Sequence, residues 1–363
     1  MTTMTNAARS VDPGQDTGLV DDGGEGLAVL ATPYLVFLGD CVEPGYAKTA
    51  FGLRDWAGDK CVGEYRLPAA TVSTGLPAMS PAEAKARGAR SMVIGIANSG
   101  GKIPPAWVTA LEEALAVGLD LVSGMHAKLA DIPALQQAAE RYGRRLVDIR
   151  KPPESLEVGT GRKRSGKRLL TVGTDCALGK KYTALAISRA LADRGVDCAF
   201  RASGQTGIMI AGSGVAFDSV VVDFAAGAAE ALSPDAAPDH WDVIEGQGSL
   251  FHPAYAGVSM ALLHGSQPDV FVVCHDPARD CVLGNAGFPL PDIAEVIDMT
   301  IRLGSRTNPA IRCGGVALNT SSLDEDAARA LMQRESERLG LPVCDPLRGG
   351  AEFEHLLDSC LAL

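Results

Sequence analysis

The chain of 363 residues contains no CxxC pair among its nine cysteines. That absence, the odd count, and thiols such as Cys274 at the end of an apolar run argue against a secreted disulfide framework. A reduced, cytoplasmic setting fits better. No His/Cys group has zinc-ligand spacing, so no metal is expected to be required. No uninterrupted apolar run reaches about 18 residues, which argues against a helical membrane span. The N-terminus lacks the basic and apolar regions of a signal peptide. Basic residues are the minority, 33 Lys plus Arg against 44 Asp plus Glu, for a net charge of -11. Phosphate backbones demand a basic face, so a general nucleic-acid binder is disfavoured. The expected partners are small-molecule substrates, with neither nucleic acid nor membrane. The apolar surfaces of tandem α/β domains also point to a homo-oligomer.

What is present is an alternation of strand and helix signals, twice over. Residues 1–26 are rich in Thr, Asp and Gly and read as a disordered or weakly docked tail. From Leu27, strands are expected at Tyr34 to Leu38, Ser91 to Ala97, Leu119 to Val122 and Arg145 to Ile149. Helices are expected at Pro105 to Val117 and Ile132 to Tyr142. Strand and helix in alternation imply a parallel sheet covered on both faces, here a Rossmann-like domain over residues 27–150. A linker with a basic run follows over 151–168. It reads as solvated chain, or as a rim that attracts a polyanion. The second alternation occupies 169–363. Its strand candidates are Leu169 to Gly173, Cys198 to Ala202, Ser219 to Phe224, Trp241 to Ile244, Val270 to His275 and Val316 to Asn319. Its helix candidates are Gly179 to Asp193, Ala294 to Leu303 and Glu325 to Leu339. The fold class is α/β, with two tandem doubly wound, mainly parallel-sheet domains, Rossmann-like and then P-loop NTPase-like.

The strongest local signal is Gly173, Thr174, Asp175, Cys176, Ala177, Leu178, Gly179, Lys180 and Lys181, which follows an apolar strand and opens a helix. Glycines let main-chain N–H groups wrap an anion, the helix N-terminus adds positive potential, and Lys180 supplies a point charge. A magnesium-holding Ser or Thr should follow that lysine, and here Lys181 stands instead. A pyrophosphate still suits such a loop, but metal-assisted γ-phosphoryl chemistry becomes doubtful. Glu245 ends a strand before a Gly-rich turn, where open α/β sheets bind ligands. It reads as a general base, a metal holder or a helix-capping carboxylate. His275 and Asp223 are the rival bases. Arg201, with Gln205 and Thr206 after it, is the candidate for a substrate carboxylate. Asn319 ends a further strand and could read a purine edge. Cys176 invites a nucleophile reading, but an anion bound in the loop would cover it.

The loop from Gly173 to Lys180 resembles that of dethiobiotin synthetase, and so does Glu245-Gly246 at a strand end. A longer resemblance runs from Leu27 to near the end of the chain. It rests on Ser123-Gly124-Met125-His126, on Gly204 to Gly212, on Glu245 to Ser249, on His264 to Asp269 and on Asn319-Thr320-Ser321. On these the chain is similar to a bacterial family with an N-terminal Rossmann-like and a C-terminal P-loop domain, of the D-glutamate N-acetyltransferase type. The resemblance implies acetyl transfer from acetyl-CoA, as co-substrate, to the amine of D-glutamate. Lys181 agrees with it, because a CoA pyrophosphate needs the loop and Lys180 but no Mg²⁺. On the same expectation the basic linker would suit the CoA 3′-phosphate. The alternative is an ATP–Mg-dependent ligase or kinase acting on a small carboxylate or amine.

Overall fold

The computed structural model describes residues 28–153 and 155–362. The expected tail, residues 1–26, lies outside the described residues. The first sheet is built from β2 (Tyr34–Gly39), β3 (Cys61–Arg66), β4 (Ser91–Ile94), β5 (Asp120–Ser123) and β6 (Leu146–Asp148), all parallel, in the order β3-β2-β4-β5-β6. Around it pack α1 (Lys48–Ala57), α2 (Pro81–Ala86), α3 (Pro105–Ala116) and α4 (Pro133–Tyr142). Ser80 starts α2 with a full capping box to Glu83. Trp107, Leu111 and Leu115 line the buried side of α3, as their four-residue spacing requires. In this sheet β2 is flanked by β3 on one side and β4 on the other. The loops that follow β2 and β4 therefore meet at the point where the winding reverses, the usual place for a ligand crevice. Ala97 N–H donates to Tyr46 O at 2.8 Å and Ala50 N–H to Gly95 O at 3.0 Å, which ties the two loops together.

The second sheet has six parallel strands, ordered β13-β12-β11-β7-β10-β8. They are β7 (Lys167–Gly173), β8 (Cys198–Arg201), β10 (Trp241–Ile244), β11 (Val270–His275), β12 (Arg312–Leu318) and β13 (Val343–Cys344). The helices are α5 (Lys180–Asp193), α6 (Gln205–Ala211), α7 (Val222–Leu232), α8 (Ala256–Ser266), α9 (Ile293–Gly304), α10 (Glu325–Leu339) and α11 (Ala351–Leu361). Strand β7 is central, with β10 on one side and β11 on the other, so its loop again lies where the chain reverses direction. Two apolar layers cover the faces of this sheet, one built on Leu170, Ile244 and Phe271, the other on Leu169, Val243 and Val272.

The two halves are joined by more than the linker. The short strand β1 (Ala28–Val29) pairs antiparallel with β9 (Ser213–Gly214), inside the second half. Ile208, Met209 and Ile210 of α6 enter the apolar core of the first domain. Thr49 Oγ1 on α1 and Thr206 Oγ1 on α6 lie 3.0 Å apart.

Two expectations are corrected. Residues Ser219 to Phe224 are not a strand, because α7 begins at Val222. The run Val220-Val221-Val222 has β propensity, but the alanine-rich stretch behind it packs Ala225, Ala228 and Ala229 into the core and propagates a helix instead. The basic run is solvated only in part: residues 157–163 are exposed, whereas its later arginines are built into the domain. Arg164 donates to Ser233 O (2.7 Å) and Gly265 O (2.7 Å), and Arg168 to Ser233 Oγ (2.7 Å) and Pro234 O (2.8 Å), both guanidiniums being buried. Arg162 pairs with Asp235 and Lys163 with Asp269. The run ends in the first two residues of β7, Lys167 and Arg168, and the anion loop leaves the other end of that strand. A strand of seven residues separates them by about 20 Å.

Candidate active site

The loop after β7 is shaped as an anion cradle. Ala177 and Gly179 take positive φ, 52° and 111°, which turns successive N–H groups inward. Among the described residues, the main-chain N–H groups from Leu178 to Tyr182 have no protein acceptor. The buried Lys180 reaches back across the loop, Nζ donating to Asp175 O at 2.7 Å. Burial pushes its ammonium below the ordinary lysine pKa. Arg279 braces the loop from behind, donating to Asp175 Oδ2 (2.8 Å) and Cys176 O (2.7 Å), and Leu283 N–H donates to the same carboxylate oxygen (2.8 Å). Through these bonds Asp175 is a strut of the loop.

Glu245 follows β10 directly and is buried. Its Oε2 accepts from Ser203 N–H at 3.0 Å and Gly204 N–H at 3.1 Å. Its Oε1 has no protein donor among the described residues. Glycine is required around it: a Cβ at Gly207 would overlap the carboxylate, and one at Gly246 would overlap Thr171 O. Burial raises the Glu245 pKa above the ordinary carboxylate range, opposed by the Lys181 charge and the two N–H groups. Lys181 lies over the Tyr182 ring at 4.4 Å, and that ring stacks on Trp56 of α1 at 6.1 Å. Burial depresses its pKa, with the nearby Glu245 charge opposing and Lys48 of α1 adding to the depression.

The other expected residues are only partly brought to this place. His275 flanks the loop on its β11 side, its Nδ1 3.0 Å from Thr174 Oγ1. It lines a separate pocket of about 540 Å³ with Asp292, Glu335 and Arg338, and burial lowers its pKa. Asn319 N–H donates to His275 O on that same side. Asp223 lies in the exposed first turn of α7, so the structure does not bring it to Glu245. Arg201 is spent elsewhere, its Nε donating at 2.6 Å to the buried Asp242. Gln205 and Thr206 bind the first domain. With its amide oriented so that both groups are satisfied, the Gln205 carboxamide donates to Gly124 O at 2.5 Å and accepts from Arg150 at 3.2 Å. Arg150 in turn pairs with Asp218.

Asp175, Cys176 and His252 cluster closely enough for a cation, with ligand atoms within 4.8 Å of one another. The histidine argues against that use. Its Nδ1 accepts from Ala254 N–H (3.0 Å) and Tyr255 N–H (3.2 Å), which assigns the ring proton to Nε2. That Nε2 stands 3.9 Å from Asp175 Oδ1 and, so protonated, has no lone pair for a metal. Burial raises the Cys176 pKa, so the thiol is a poor nucleophile at rest.

Residues 157–356 match a family model described as "Domain of unknown function (DUF1611_C) P-loop domain", and residues 61–152 its Rossmann-like partner, DUF1611_N. The chain belongs to the DUF1611 family. A DUF1611 family protein from Anabaena variabilis, known by crystal structure, superposes with a TM-score of 0.78 at 34% identity, covering 92% of this chain and 100% of that one. A D-glutamate N-acetyltransferase from Tritonibacter scottomollicae is 48% identical over 92% of this chain and 100% of its own length. Another of the same name, from a Pseudoalteromonas species, is 46% identical over 88% and 96%. For this DUF1611 chain, sequence reasoning missed the Ser203 and Gly204 N–H pair that holds Glu245. A Gly204–Gly207 spacing beside a strand-end carboxylate was the available signal for the N–H pair.

Proposed function

We propose that the chain is a D-glutamate N-acetyltransferase with acetyl-CoA as its donor. An N-acetyltransferase needs an acyl donor, and the relatives that cover nearly the whole chain carry this activity in their names. The observation that carries the chemistry is a buried carboxylate beside an anion cradle, with one oxygen held by two N–H groups and the other unengaged. The cradle from Gly173 to Lys180 fits a diphosphate because its N–H groups lack protein acceptors and Lys180 adds charge. Lys181 replaces the magnesium-holding hydroxyl, and this weighs against the ATP-dependent reading.

Glu245 Oε1 takes a proton from the acceptor ammonium. The amine nitrogen then forms the C–N bond to the acetyl carbonyl as the C–S bond breaks. The ammonium loses two protons in all, one going to the departing sulfur and one to solvent. The products are N-acetyl-D-glutamate and the free thiol. The raised pKa of Glu245 makes it a stronger base than an exposed carboxylate.

The test is thiol release from acetyl-CoA with D-glutamate, L-glutamate or no acceptor, beside ATP–Mg²⁺ turnover. Stoichiometric thiol and N-acetyl-D-glutamate are expected. ATP hydrolysis without acetyl transfer would reverse the assignment. K180A should raise the KM for acetyl-CoA about 10–100-fold, the worth of a charge-assisted hydrogen bond.

A further inference from the structure

The helices that follow the reversal points of the two sheets, α1 and α5, touch across the domain junction. Lys48 opens α1 directly after the loop that leaves β2, beside the loop that leaves β4. Lys181 sits in the first turn of α5, after the anion cradle. The Thr49–Thr206 contact at 3.0 Å joins the first turns of α1 and α6, Gly207 of α6 lies against the Glu245 carboxylate, and the far end of α1 reaches the first turn of α5 through the Trp56–Tyr182 stack. Arg201 is spent on Asp242 and Arg279 on Asp175. Neither Lys48 nor Lys181 has a carboxylate within salt-bridge distance among the described residues. Lys181 has only the Tyr182 ring beneath it.

From this arrangement we infer that Lys48 and Lys181 clamp the two carboxylates of the acceptor amino acid, one from each domain, while its ammonium meets Glu245. The inference rests on the acceptor being D-glutamate. The charges then match in number and sign: two ammoniums and one carboxylate on the protein, two carboxylates and one ammonium on the ligand. Lys48 is exposed and Lys181 half-buried, and two like charges on either side of a junction favour an anion between them. Burial is the main cause of the depressed Lys181 pKa, and the Lys48 charge adds to it. The clamp explains why a lysine stands where phosphotransferase loops carry a hydroxyl: the position serves the acceptor and not a metal. Lys48 and Lys181 are thus binding residues that select a dicarboxylate.

The experiment is calorimetric binding of D-glutamate to the CoA-loaded protein, for wild type, K48M, K181M and K181R, with steady-state KM values for both substrates alongside. K48M and K181M should each weaken D-glutamate binding about 10–100-fold. The KM for acetyl-CoA should stay within about twofold. K181R should recover most of the affinity, and melting temperatures should match wild type, which separates lost binding from lost folding. D-Glutamine should bind wild type weakly, and one of the two Met variants should no longer distinguish it from D-glutamate. Unchanged D-glutamate binding in both Met variants overturns the clamp. So does a rise confined to the KM for acetyl-CoA. A wild type that acetylates D-glutamate normally while the variants bind it unchanged overturns the clamp alone. A wild type that neither binds nor acetylates D-glutamate overturns the functional reading with it.

Discussion

Two buried glutamates, one per domain, look alike in sequence and differ in what surrounds them. Glu64 on β3 accepts from Ser73 Oγ (2.6 Å), Thr74 N–H (2.7 Å) and Thr74 Oγ1 (2.5 Å), and pairs with Arg66 at 3.0 Å. Both of its oxygens are spent. Glu245 has two N–H donors on one oxygen and none on the other. A carboxylate satisfied on every side is a structural fixture, because any new proton or ligand must first break existing bonds. One left half-engaged at a strand end is held in place and still able to react. Burial alone therefore does not mark a base; the unspent lone pairs do.

The largest test of that contrast is catalytic. E245Q keeps the size of the side chain and its N–H contacts, and should lose about 10²–10⁴-fold in kcat. E64Q should leave kcat within about twofold, read in the same thiol-release assay. A smaller effect runs the other way. E64Q breaks a buried, ion-paired acceptor and should cost about 1–3 kcal/mol, seen as a fall of several degrees in Tm. E245Q should not share that loss. The smallest effect is its pH dependence. Because the Glu245 pKa is raised by burial, folding binds its proton more tightly. Its favourable contribution is present below the unfolded pKa of about 4.3 and is lost as pH rises through the folded value. E245Q should therefore melt at or above wild type at pH 8, with the gap closing by about pH 4. A wild type that gains on E245Q as pH rises would reverse the sign of this argument.

Much of the fold was legible because its elements are local. The strands at Tyr34, Leu169, Trp241 and Val270 are short apolar runs, and α10 fell where its cap and period put it. The helices that escaped notice, α1, α6, α8 and α11, depend on tertiary support. In α6, Gly207 lowers the helix signal, yet it is there to admit the Glu245 carboxylate. The anion loop and Glu245 were readable from a strand, a glycine pattern and a charge in sequence. Arg201 was not, since its partner Asp242 lies 41 positions away on a neighbouring strand. The basic run misled for the same reason. Arg164 and Arg168 look solvated until the loop after α7 and the end of α8 fold over them.

The central claim is that the free oxygen of Glu245 receives the acceptor's proton. The most direct measurement is the pH dependence of kcat/KM for D-glutamate, in wild type and E245Q, under saturating acetyl-CoA. Wild type should rise on the acid side through a single ionisation above the ordinary glutamate range, and E245Q should lack that limb and stay low throughout. An E245Q protein that retains the acid limb at near-normal rate would contradict the account and send the base elsewhere.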